Sequence, residues 1–396
     1  MATPSIFPKA IYLSCPVRTP IGKFGGSLQR FSAPELATLA LKEGLQRADG
    51  LAPAELVFMG HGRQAGAGPN PARQATIFAG LPPEVPAVTV NQACASGLAS
   101  IIAACDRIAL GKAHVAWAGG VESMSNTPYF LPQARWGYRM GHAPLVDGMT
   151  KDGFFCPMSD MVMGETVENF LVPEFKVSRE EQDAYALETQ LRAARAWQAG
   201  HFKAETFAIA ADGKKPGLDH DEHRREDTTA ESLAKLGPVF KARDGRAPTI
   251  TAGNSSGITD GAAFVRVSDA RDAGTVAEIL DYEVVALDPR RMGIGPVPAV
   301  RNLLARRGLQ IGDIEAFEVN EAFAAQVIAC QRDLKIPTER LNAWGGSIAL
   351  GHPIGATGTR ITVTLLSRLR DKPGALGLAT LCVSGGMGVA LLVRSV

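Results

Sequence analysis

Short apolar runs alternate with helix-patterned segments in two separate blocks of this sequence. In the first block, roughly residues 1–120, the predicted strands are residues 10–14, 56–60, 87–90 and 115–118, and the predicted helices are residues 33–48 and 94–109. In the second block, which begins near Val276, the predicted strands are residues 276–284, 316–319, 375–382 and 388–393, and the predicted helices are residues 298–307, 321–334 and 353–370. This alternation predicts an α/β fold.

The two blocks resemble each other. Residues 54–60 (AELVFMG) and residues 314–320 (IEAFEVN) share a pattern and hold the same place in their blocks. In each block the next glycine-rich turn carries a reactive side chain, which is Cys94 in the first block and His352 in the second. The sequence therefore predicts an internal repeat of two similar halves.

A more polar and more highly charged segment separates the two blocks, at roughly residues 125–251. It contains a charged, turn-rich run at residues 214–225 and a predicted helix at residues 179–198, which Ser178 and Glu181 begin as a capping box. The apolar stripe of that helix is predicted at Ala184, Leu187, Leu191 and Ala194, and its end at Gly200. An insertion of this length indicates a lid or a ligand platform.

Composition and charge narrow the class of protein. The chain has 396 residues, 46% of them hydrophobic, with a formal net charge of +1, which gives no support to a nucleic-acid or membrane-surface partner. No apolar run is long enough to predict a transmembrane helix, and residues 1–10 lack the pattern of a signal peptide. The six cysteines show no CxxC pair or zinc spacing, so we expect reduced thiols in the cytoplasm.

Three segments of small residues each carry one reactive side chain. Cys94 lies in NQACASG (residues 91–97), His352 in GGSIALGHP (residues 345–353) and Cys382 in CVSGGMG (residues 382–388). Glycine allows a close backbone approach, and a working thiolate needs a nearby base or a helix N-terminus. The three segments together indicate covalent acyl transfer through sulfur.

Taken singly, each of these residues also has an ordinary structural explanation. Cys94 and Cys382 could be core cysteines, His352 could cap the helix that Pro353 begins, and Asn320 could be an N-cap. Residues 60–65 (GHGRQA) loosely fit a dinucleotide-binding fingerprint, but residues 66–71 (GAGPNP) break the helix that this motif requires. We therefore do not predict a dinucleotide site.

The motifs taken together resemble those of the thiolase family, which comprises acetyl-CoA acetyltransferases and 3-ketoacyl-CoA thiolases. The resemblance covers essentially the whole chain. Besides the segments of Cys94, His352 and Cys382, it rests on NPARQ (residues 70–74), GGVESMS (residues 119–125), TAGNSSG (residues 251–257) and NEAF (residues 320–323).

The resemblance implies a thiolase-like α/β fold of two similar halves. Each half would contain a mixed five-stranded sheet, in layers ordered α-β-α-β-α. Residues 1–124 and 252–273 would form the N-terminal half, residues 125–251 an inserted loop domain for coenzyme A (CoA) binding and oligomerisation, and residues 274–396 the C-terminal half. The resemblance also implies a homodimer or homotetramer. It implies no metal and no cofactor, because CoA is a substrate.

The resemblance further implies a role for each reactive residue. Cys94 would accept the acyl group, and His352 would take its proton and help to hold the thioester oxygen. Cys382 would move the proton at the substrate α-carbon, and Asn320 would act through a water on the enolate oxygen. The backbone N–H groups of Cys94 and Ser384 would form the oxyanion hole, although the family often has glycine at the position of Ser384.

The implied substrate contacts lie mostly in the insertion. Arg225 would meet the nucleotide phosphates, Ser256 the pantetheine arm, and Ala322 and Phe323 the channel, with Met163 and Phe154 nearby. Short-chain acetoacetyl-CoA thiolases tend to have histidine where this chain has Val162. This difference argues against a strict acetoacetyl-CoA role and leaves room for longer or branched chains, whereas Phe154 could narrow the same pocket.

Two alternatives remain open at this point. One is a decarboxylating ketoacyl synthase on the same fold, but these enzymes pair a cysteine with His/His or His/Asn, so Cys382 argues against it. The other is a non-catalytic, thiolase-like protein that binds acyl-CoA or lipid, which we would expect to have lost some of the four reactive residues. Chain-length preference, physiological direction and pathway stay undetermined by the sequence.

Overall fold

The computed structural model describes residues 5–214 and 217–396. Residues 1–4 of the N-terminal segment, and Lys215 and Pro216 of the charged run, lie outside the described residues. The strands are β1 (Tyr12–Arg18), β2 (Gly22–Lys23), β3 (Leu56–His61), β4 (Ala87–Val90), β5 (Val115–Ser123), β6 (Tyr129–Phe130), β7 (Val146–Asp147), β8 (Phe155–Cys156), β9 (Met161–Val162), β10 (Thr259–Ser268), β11 (Thr275–Ala286), β12 (Ile314–Val319), β13 (Leu376–Val383) and β14 (Met387–Ser395). The α-helices are α1 (Ala33–Arg47), α2 (Pro71–Phe78), α3 (Ser96–Ala109), α4 (Met163–Thr166), α5 (Val172–Phe175), α6 (Arg179–Gln198), α7 (Ala230–Ala234), α8 (Pro296–Arg307), α9 (Ala324–Leu334), α10 (Ser347–Leu350) and α11 (Ile354–Leu369).

Two matching sets of strands form one mixed sheet. The strand order is β12-β13-β14-β11-β1-β10-β5-β3-β4, with β2 paired to β10. Outward from the centre, the first half therefore reads β1-β10-β5-β3-β4 and the second reads β11-β14-β13-β12. A single parallel bridge between Phe317 and Leu341 lies where the second half would have its fifth strand. The predicted repeat is confirmed, and the antiparallel pairing of β1 with β11 makes one continuous sheet of the two halves.

Three large hydrophobic clusters show the predicted layers. The central cluster joins α3 and α11 to strands of both halves, for example through Ile101, Leu365 and Val265. A second cluster packs α1 and α2 on the other face of the first half, around Trp117. A third packs α8 and α9 on the other face of the second half, around Phe317. The order of layers is therefore α-β-α-β-α.

Glycines bring the two central helices into unusually close contact. A Cβ on Gly358 of α11 would lie 2.3 Å from the backbone nitrogen of Leu98, and one on Gly97 of α3 would lie 2.7 Å from the backbone nitrogen of Thr359. Real Cβ atoms do not approach other atoms so closely, so larger residues would force the helices apart. This contact matters because Cys94 lies just before α3 and His352 lies just before α11.

The long helix of the insertion forms as predicted, but its buried face was wrongly predicted. The bounds of α6 and the capping box of Ser178 with Glu181 match the sequence analysis. Ala184 and Leu191 are exposed, however, and Leu187 and Ala194 are only half-buried. The buried face is instead Gln182, Asp183, Ala186, Thr189, Gln190, Ala193 and Ala196. Polar members of this face make buried hydrogen bonds, such as that of Asp183 with Asn254 (2.9 Å), which a hydropathy pattern does not detect.

Two further differences from the sequence predictions affect the site. Helix α9 begins at Ala324, not at residue 321, because Phe323 has extended backbone and bridges to Ser255. Strand β10 was not predicted, because all ten of its residues are buried and no alternation marks it. It lies between β1 and β5, where the proposed assignment of residues 252–273 to the N-terminal half would put it. Among the described residues, no helix combines the length and apolar character needed to span a membrane.

Candidate active site

A strained turn presents Cys94 between a strand and a helix. Strand β4 ends at Val90, and residues Ala93–Ala95 form a 3-10 turn that leads into α3. Ala93 has a φ of 47°, a left-handed conformation that is rare outside glycine, and its N–H donates to Asn91 Oδ1 at 2.9 Å. Strain of this kind at a strand–helix junction is typical of turns that display a nucleophile. The Cys94 side chain is half-buried.

The surroundings of Cys94 shift the pKa of its thiol in opposite directions. Burial raises the pKa of the Cys94 thiol above its ordinary value. The backbone N–H of Ser384, which donates to the sulfur, and the charge of Arg63 both act to lower that pKa. Because burial prevails, Cys94 rests as a thiol and needs a base before it can act as a nucleophile.

His352 has the properties of that base. Its Nδ1 lies 2.6 Å from Thr357 Oγ1, and that hydroxyl donates its proton to the carbonyl oxygen of Pro353 at 2.9 Å. Nδ1 must therefore carry the imidazole proton, which leaves Nε2 free to accept one. Burial, aided by the charges of Arg360 and Arg63, lowers the pKa of His352 to about 3, so the ring is neutral at physiological pH.

A buried hydrogen-bonded chain orients Asn320 toward this histidine. Arg360 Nη2 donates to Ser347 Oγ at 2.7 Å, and Ser347 Oγ donates to Asn320 Oδ1 at 2.7 Å. The amide nitrogen of Asn320 consequently points at His352 Nε2, 3.4 Å away. Sequence analysis missed Arg360, Ser347 and Thr357. Of these three residues, only Ser347 could have been noticed in the sequence, because it lies in the glycine-rich segment of His352.

Cys382 lies in a different environment from Cys94. It is buried near the end of β13, one residue before the turn to β14. Burial raises its pKa well above the ordinary value for a thiol, and the neighbouring Cys94 and Cys330 add to the shift. Cys382 is therefore a protonated thiol, which suits a proton donor better than a nucleophile.

A cavity of about 790 Å³ lies close to these residues, although Cys94, Asn320, His352 and Cys382 are not among its lining residues. The predicted Arg225, Ser256, Phe323, Met163 and Phe154 all line it, together with Val162. Ala322 is not among the lining residues; it is buried, and its carbonyl accepts from the backbone N–H of Ser256 at 3.0 Å.

Two contacts join the inner end of the cavity to the reactive groups. Phe154 and Ile258 line the cavity and also pack with Cys94 in one small hydrophobic cluster. Gly257 lines the cavity too, and its carbonyl accepts from the backbone N–H of His352 at 3.4 Å. Residues of the cavity wall therefore contact both Cys94 and His352.

The mouth of the cavity is rich in charge. Lys23, Arg224 and Arg225 line it together with Glu222, Glu226 and Asp227. Arg224 pairs with Glu226, whereas Arg225 makes no ion pair with any described residue. Burial lowers the pKa of His223, which also lines the cavity, to about 4, and Arg225 contributes to that shift. Arg225 is therefore available to an anionic ligand at this end.

A thiol and a neutral buried base, both in contact with the wall of one cavity, are what acyl transfer through sulfur requires. The class that the fold and the site define is thus a cysteine-dependent acyltransferase built from two repeated α/β halves. Comparison with known families agrees. The family described as "Thiolase, N-terminal domain" matches residues 14–270, and "Thiolase, C-terminal domain" matches residues 273–395. The chain belongs to the thiolase family.

Relatives of known name span nearly the whole chain. It is 45% identical to an acetyl-CoA acetyltransferase of Chromobacterium violaceum over 387 residues, which cover 95% of this chain and 97% of that one. It is 43% identical to a probable acetyl-CoA acyltransferase of Staphylococcus aureus over 393 residues, which cover 97% and 98%. This similarity identifies the chain as an enzyme of the thiolase acyltransferase class.

Solved structures agree with this assignment. Human mitochondrial 3-ketoacyl-CoA thiolase superposes with a TM-score of 0.92 at 38% identity, covering 98% of this chain and 99% of that one. The same human enzyme in complex with CoA also gives a TM-score of 0.92. These relatives favour neither the decarboxylating synthase nor the non-catalytic carrier.

Proposed function

We propose that this enzyme exchanges an acyl group between CoA and a 3-ketoacyl-CoA, with Cys94, His352, Cys382 and Asn320 as its catalytic residues. The observation that carries the proposal is the position of His352 Nε2. This nitrogen is unprotonated, lies 3.4 Å from the Asn320 amide, and belongs to a residue hydrogen-bonded to the cavity wall beside Cys94. The general base and the amide donor therefore lie side by side, and the base and the thiol both contact the wall of the same cavity.

In the first half-reaction, His352 Nε2 takes the Cys94 proton and the thiolate attacks the ketone carbon of the 3-ketoacyl-CoA. The backbone N–H groups of Cys94 and Ser384 hold the oxyanion that forms. Such a donor typically contributes about 10²–10³ in rate. The hydrogen bond from the Ser384 N–H to the Cys94 sulfur supports this role, because it puts that donor beside the attacking atom.

The C2–C3 bond of the substrate then breaks and leaves the acyl group on Cys94. The electron pair goes to the enolate of acetyl-CoA, whose oxygen is held by His352 and by a water on Asn320. Cys382, which its raised pKa keeps protonated, delivers its proton to C2. In the second half-reaction, the Cys382 thiolate takes the proton of the CoA thiol and the CoA sulfur attacks the acyl-cysteine. The Cys94–acyl bond breaks, and Cys94 leaves as a thiolate that recovers its proton from His352. The reverse sequence is condensation.

We place CoA in the cavity, with Arg225 at the nucleotide phosphates, Ser256 at the pantetheine arm and Phe323 along the channel. Ala322 would act indirectly by fixing Ser256. Met163, Phe154 and Val162 line the wall near the acyl group. The human relative solved with CoA supports CoA as the ligand, and the unpaired Arg225 supports the orientation. We propose no metal and no cofactor.

We further propose a homodimer or homotetramer. Strand β4 is an edge of the sheet, and Val88 on it is exposed, as are Ile77 and Phe78 on the adjacent α2. An apolar sheet edge favours pairing with a second copy. In the insertion, Trp136 and Met140 are 87% and 96% exposed, which supports a further contact between dimers. The proposed cytoplasmic location rests on the sequence alone.

The test is thiolysis of a 3-ketoacyl-CoA series from acetoacetyl-CoA upward, followed by the loss of enolate absorbance when free CoA is added. We expect turnover by the wild type and none by Cys94→Ala. The chain length with the highest kcat/KM would show how the wall at Val162 and Phe154 limits the acyl group. Turnover that persists in Cys94→Ala, or CoA binding without turnover of any substrate, would contradict the proposed reaction.

A further inference from the structure

One buried cation near the site, Arg63, acts on the reaction described so far only through its charge, which acts to lower the pKa values of Cys94 and His352. The Arg63 side chain is only 5% exposed, and its Nε and Nη1 atoms have no hydrogen-bond partner among the described residues. Its Nη2 reaches the carbonyl of Met149 only at 3.5 Å. Leaving buried donors unsatisfied costs about 1–3 kcal/mol per group, and more when the group is charged. A ligand with hydrogen-bond acceptor atoms would satisfy these donors.

Arg63 lies directly behind the acyl end of the cavity. Its guanidinium stacks over the Phe154 ring, 4.8 Å from the ring centroid. Phe154 in turn lines the cavity and packs with Cys94. The chain makes room for the guanidinium at Gly153, where a Cβ would lie 1.9 Å from Arg63 Nη2. The Phe154 ring, carried by the π-helical turn Thr150–Phe154, therefore lies against both the guanidinium and Cys94.

Nearby carboxylates do not pair with this cation. The carboxylate of Glu122 accepts from the backbone N–H groups of Arg63, Gly62 and Gly355 at 3.1, 3.2 and 2.9 Å, and His61 Nε2 lies 3.3 Å from it. Asp147 accepts from the backbone N–H of Met149 at 2.8 Å, and Asp152 is exposed to solvent. The guanidinium thus keeps its charge, which Glu122 favours through space, without an ion-paired carboxylate among the described residues, since arginine does not lose its proton in proteins.

We propose that Arg63 determines substrate specificity by binding a carboxylate at the far end of the acyl chain. The substrates would be CoA thioesters of 3-keto dicarboxylic acids. A carboxylate supplies two oxygens to the planar fork of N–H groups, and this pairing is the strongest that arginine makes. The proposal rests on the proposed thiolase reaction and names its substrate class.

The carboxylate takes no part in the bond changes. The C2–C3 bond breaks, the acyl group forms a thioester with Cys94, and C2 receives a proton. The thiol of CoA then releases the acyl group as a second CoA thioester. The products are acetyl-CoA and the CoA thioester of a dicarboxylic acid shorter by two carbons, with the distal carboxylate unchanged.

The experiment compares kcat/KM for two matched substrates, the CoA thioester of 3-ketohexanedioic acid and its neutral methyl ester at the distal carboxyl. Wild type, Arg63→Leu and Arg63→Lys are measured beside Arg271→Leu, which removes an exposed arginine elsewhere. We expect the wild type and Arg271→Leu to favour the acid by about 30-fold or more, since a buried charge pair contributes on that scale. The ratio should fall to about one or below in Arg63→Leu and be partly kept in Arg63→Lys.

The proposal is judged by the ratio of kcat/KM for the acid to kcat/KM for the ester, and not by the absolute rates. A wild-type ratio of about one, or a ratio unchanged in Arg63→Leu while both substrates slow equally, would overturn it and assign Arg63 a structural role. If Arg63→Leu does not fold, the wild-type ratio and that of Arg63→Lys give the same decision. Good turnover of the neutral ester, lost in Cys94→Ala, would still support the thiolase reaction, so the two proposals can fail separately.

Discussion

At the scale of single residues, the chemistry of His352 is set by its neighbours. Thr357 already donates to a backbone carbonyl, so it can only accept from the ring, and this fixes the tautomer. Arg360 and Ser347 fix the amide of Asn320 in the same way, from the opposite side of the site. A histidine held between these two groups presents one unprotonated nitrogen in one orientation.

Replacing Thr357 by valine tests this assignment. Without the hydroxyl, the Nδ1 proton loses its acceptor, so the ring can rotate or change tautomer. Because a positioned general base contributes about 10²–10⁴ in rate, we expect kcat to fall by roughly 10- to 100-fold with little change in KM. Thr362→Val is the matched control, because that buried hydroxyl donates only to the carbonyl of Gly358 in the same helix. Equal losses in both variants would assign Thr357 a purely structural role.

The pH dependence of thiol reactivity provides a second residue-scale prediction. The raised pKa of Cys94 means that its thiolate fraction still increases above pH 8, and the pKa of His352, lowered to about 3, keeps that ring neutral throughout. The rate of Cys94 alkylation by iodoacetamide should therefore rise continuously from pH 5 to pH 9. Mass spectrometry of the labelled peptide measures this rate. An inflection near pH 6.5 would show that His352 titrates normally.

At the scale of elements, the contact between α3 and α11 aligns the site. One helix follows Cys94 and the other follows His352, and Gly97 and Gly358 let their backbones meet. The strained turn at Ala93 is possible because both of its ends are fixed, by β4 on one side and by this helix contact on the other.

Alanine at Gly358 should therefore impair both stability and catalysis. Its Cβ would meet the backbone of Leu98, which cannot rotate away, so we expect a loss of about 1–3 kcal/mol in the free energy of unfolding and a lower kcat. Gly312→Ala is the control, because a Cβ there has nothing within 4 Å, and it should change stability by less than about 0.5 kcal/mol. Urea denaturation and thiolysis kinetics measure both effects. Wild-type stability in Gly358→Ala would show that the helices can separate at little cost.

Sequence patterns predicted most elements, and the exceptions share a physical cause. Helices with clear periodicity were found with nearly correct ends, whereas β1 and β5 extend well beyond the ends predicted for them. Glycine-rich segments drew attention to Cys94, His352 and Cys382, and the end of a strand drew attention to Asn320; the catalytic roles of these four residues stay predictions. The buried face of α6 was predicted wrongly because polar residues such as Asp183 and Thr189 belong to it. Their hydrogen-bond partners lie far away in the sequence, as Glu321 does for Thr189. Arg63 and Thr357 were missed for the same reason, since their importance comes from tertiary neighbours.

At the scale of the whole molecule, the repeated halves meet through β1 and β11 and leave β4 as a free sheet edge. Val88 on that edge and Val284 on β11 are equally exposed, at 43% each. Replacing each valine by lysine therefore compares a charge at the proposed interface with the same charge elsewhere on the surface.

Lysine at Val88 should weaken the proposed association, because it would bury an unpaired charge between two copies. Light scattering after size-exclusion chromatography at micromolar concentration should give a lower mass for Val88→Lys than for wild type, with Val284→Lys unchanged. If the two variants and the wild type have the same mass, the subunits do not associate through β4.

The positions of the reactive residues along the chain have a consequence for biosynthesis. Cys94 precedes His352 and Cys382 by more than 250 residues, so it is translated before them. The nucleophile would therefore leave the ribosome before its general base has been synthesised. Until the second half folds onto α3, the Cys94 thiol has neither the proposed base nor the proposed Ser384 donor, so acyl transfer to it is not catalysed.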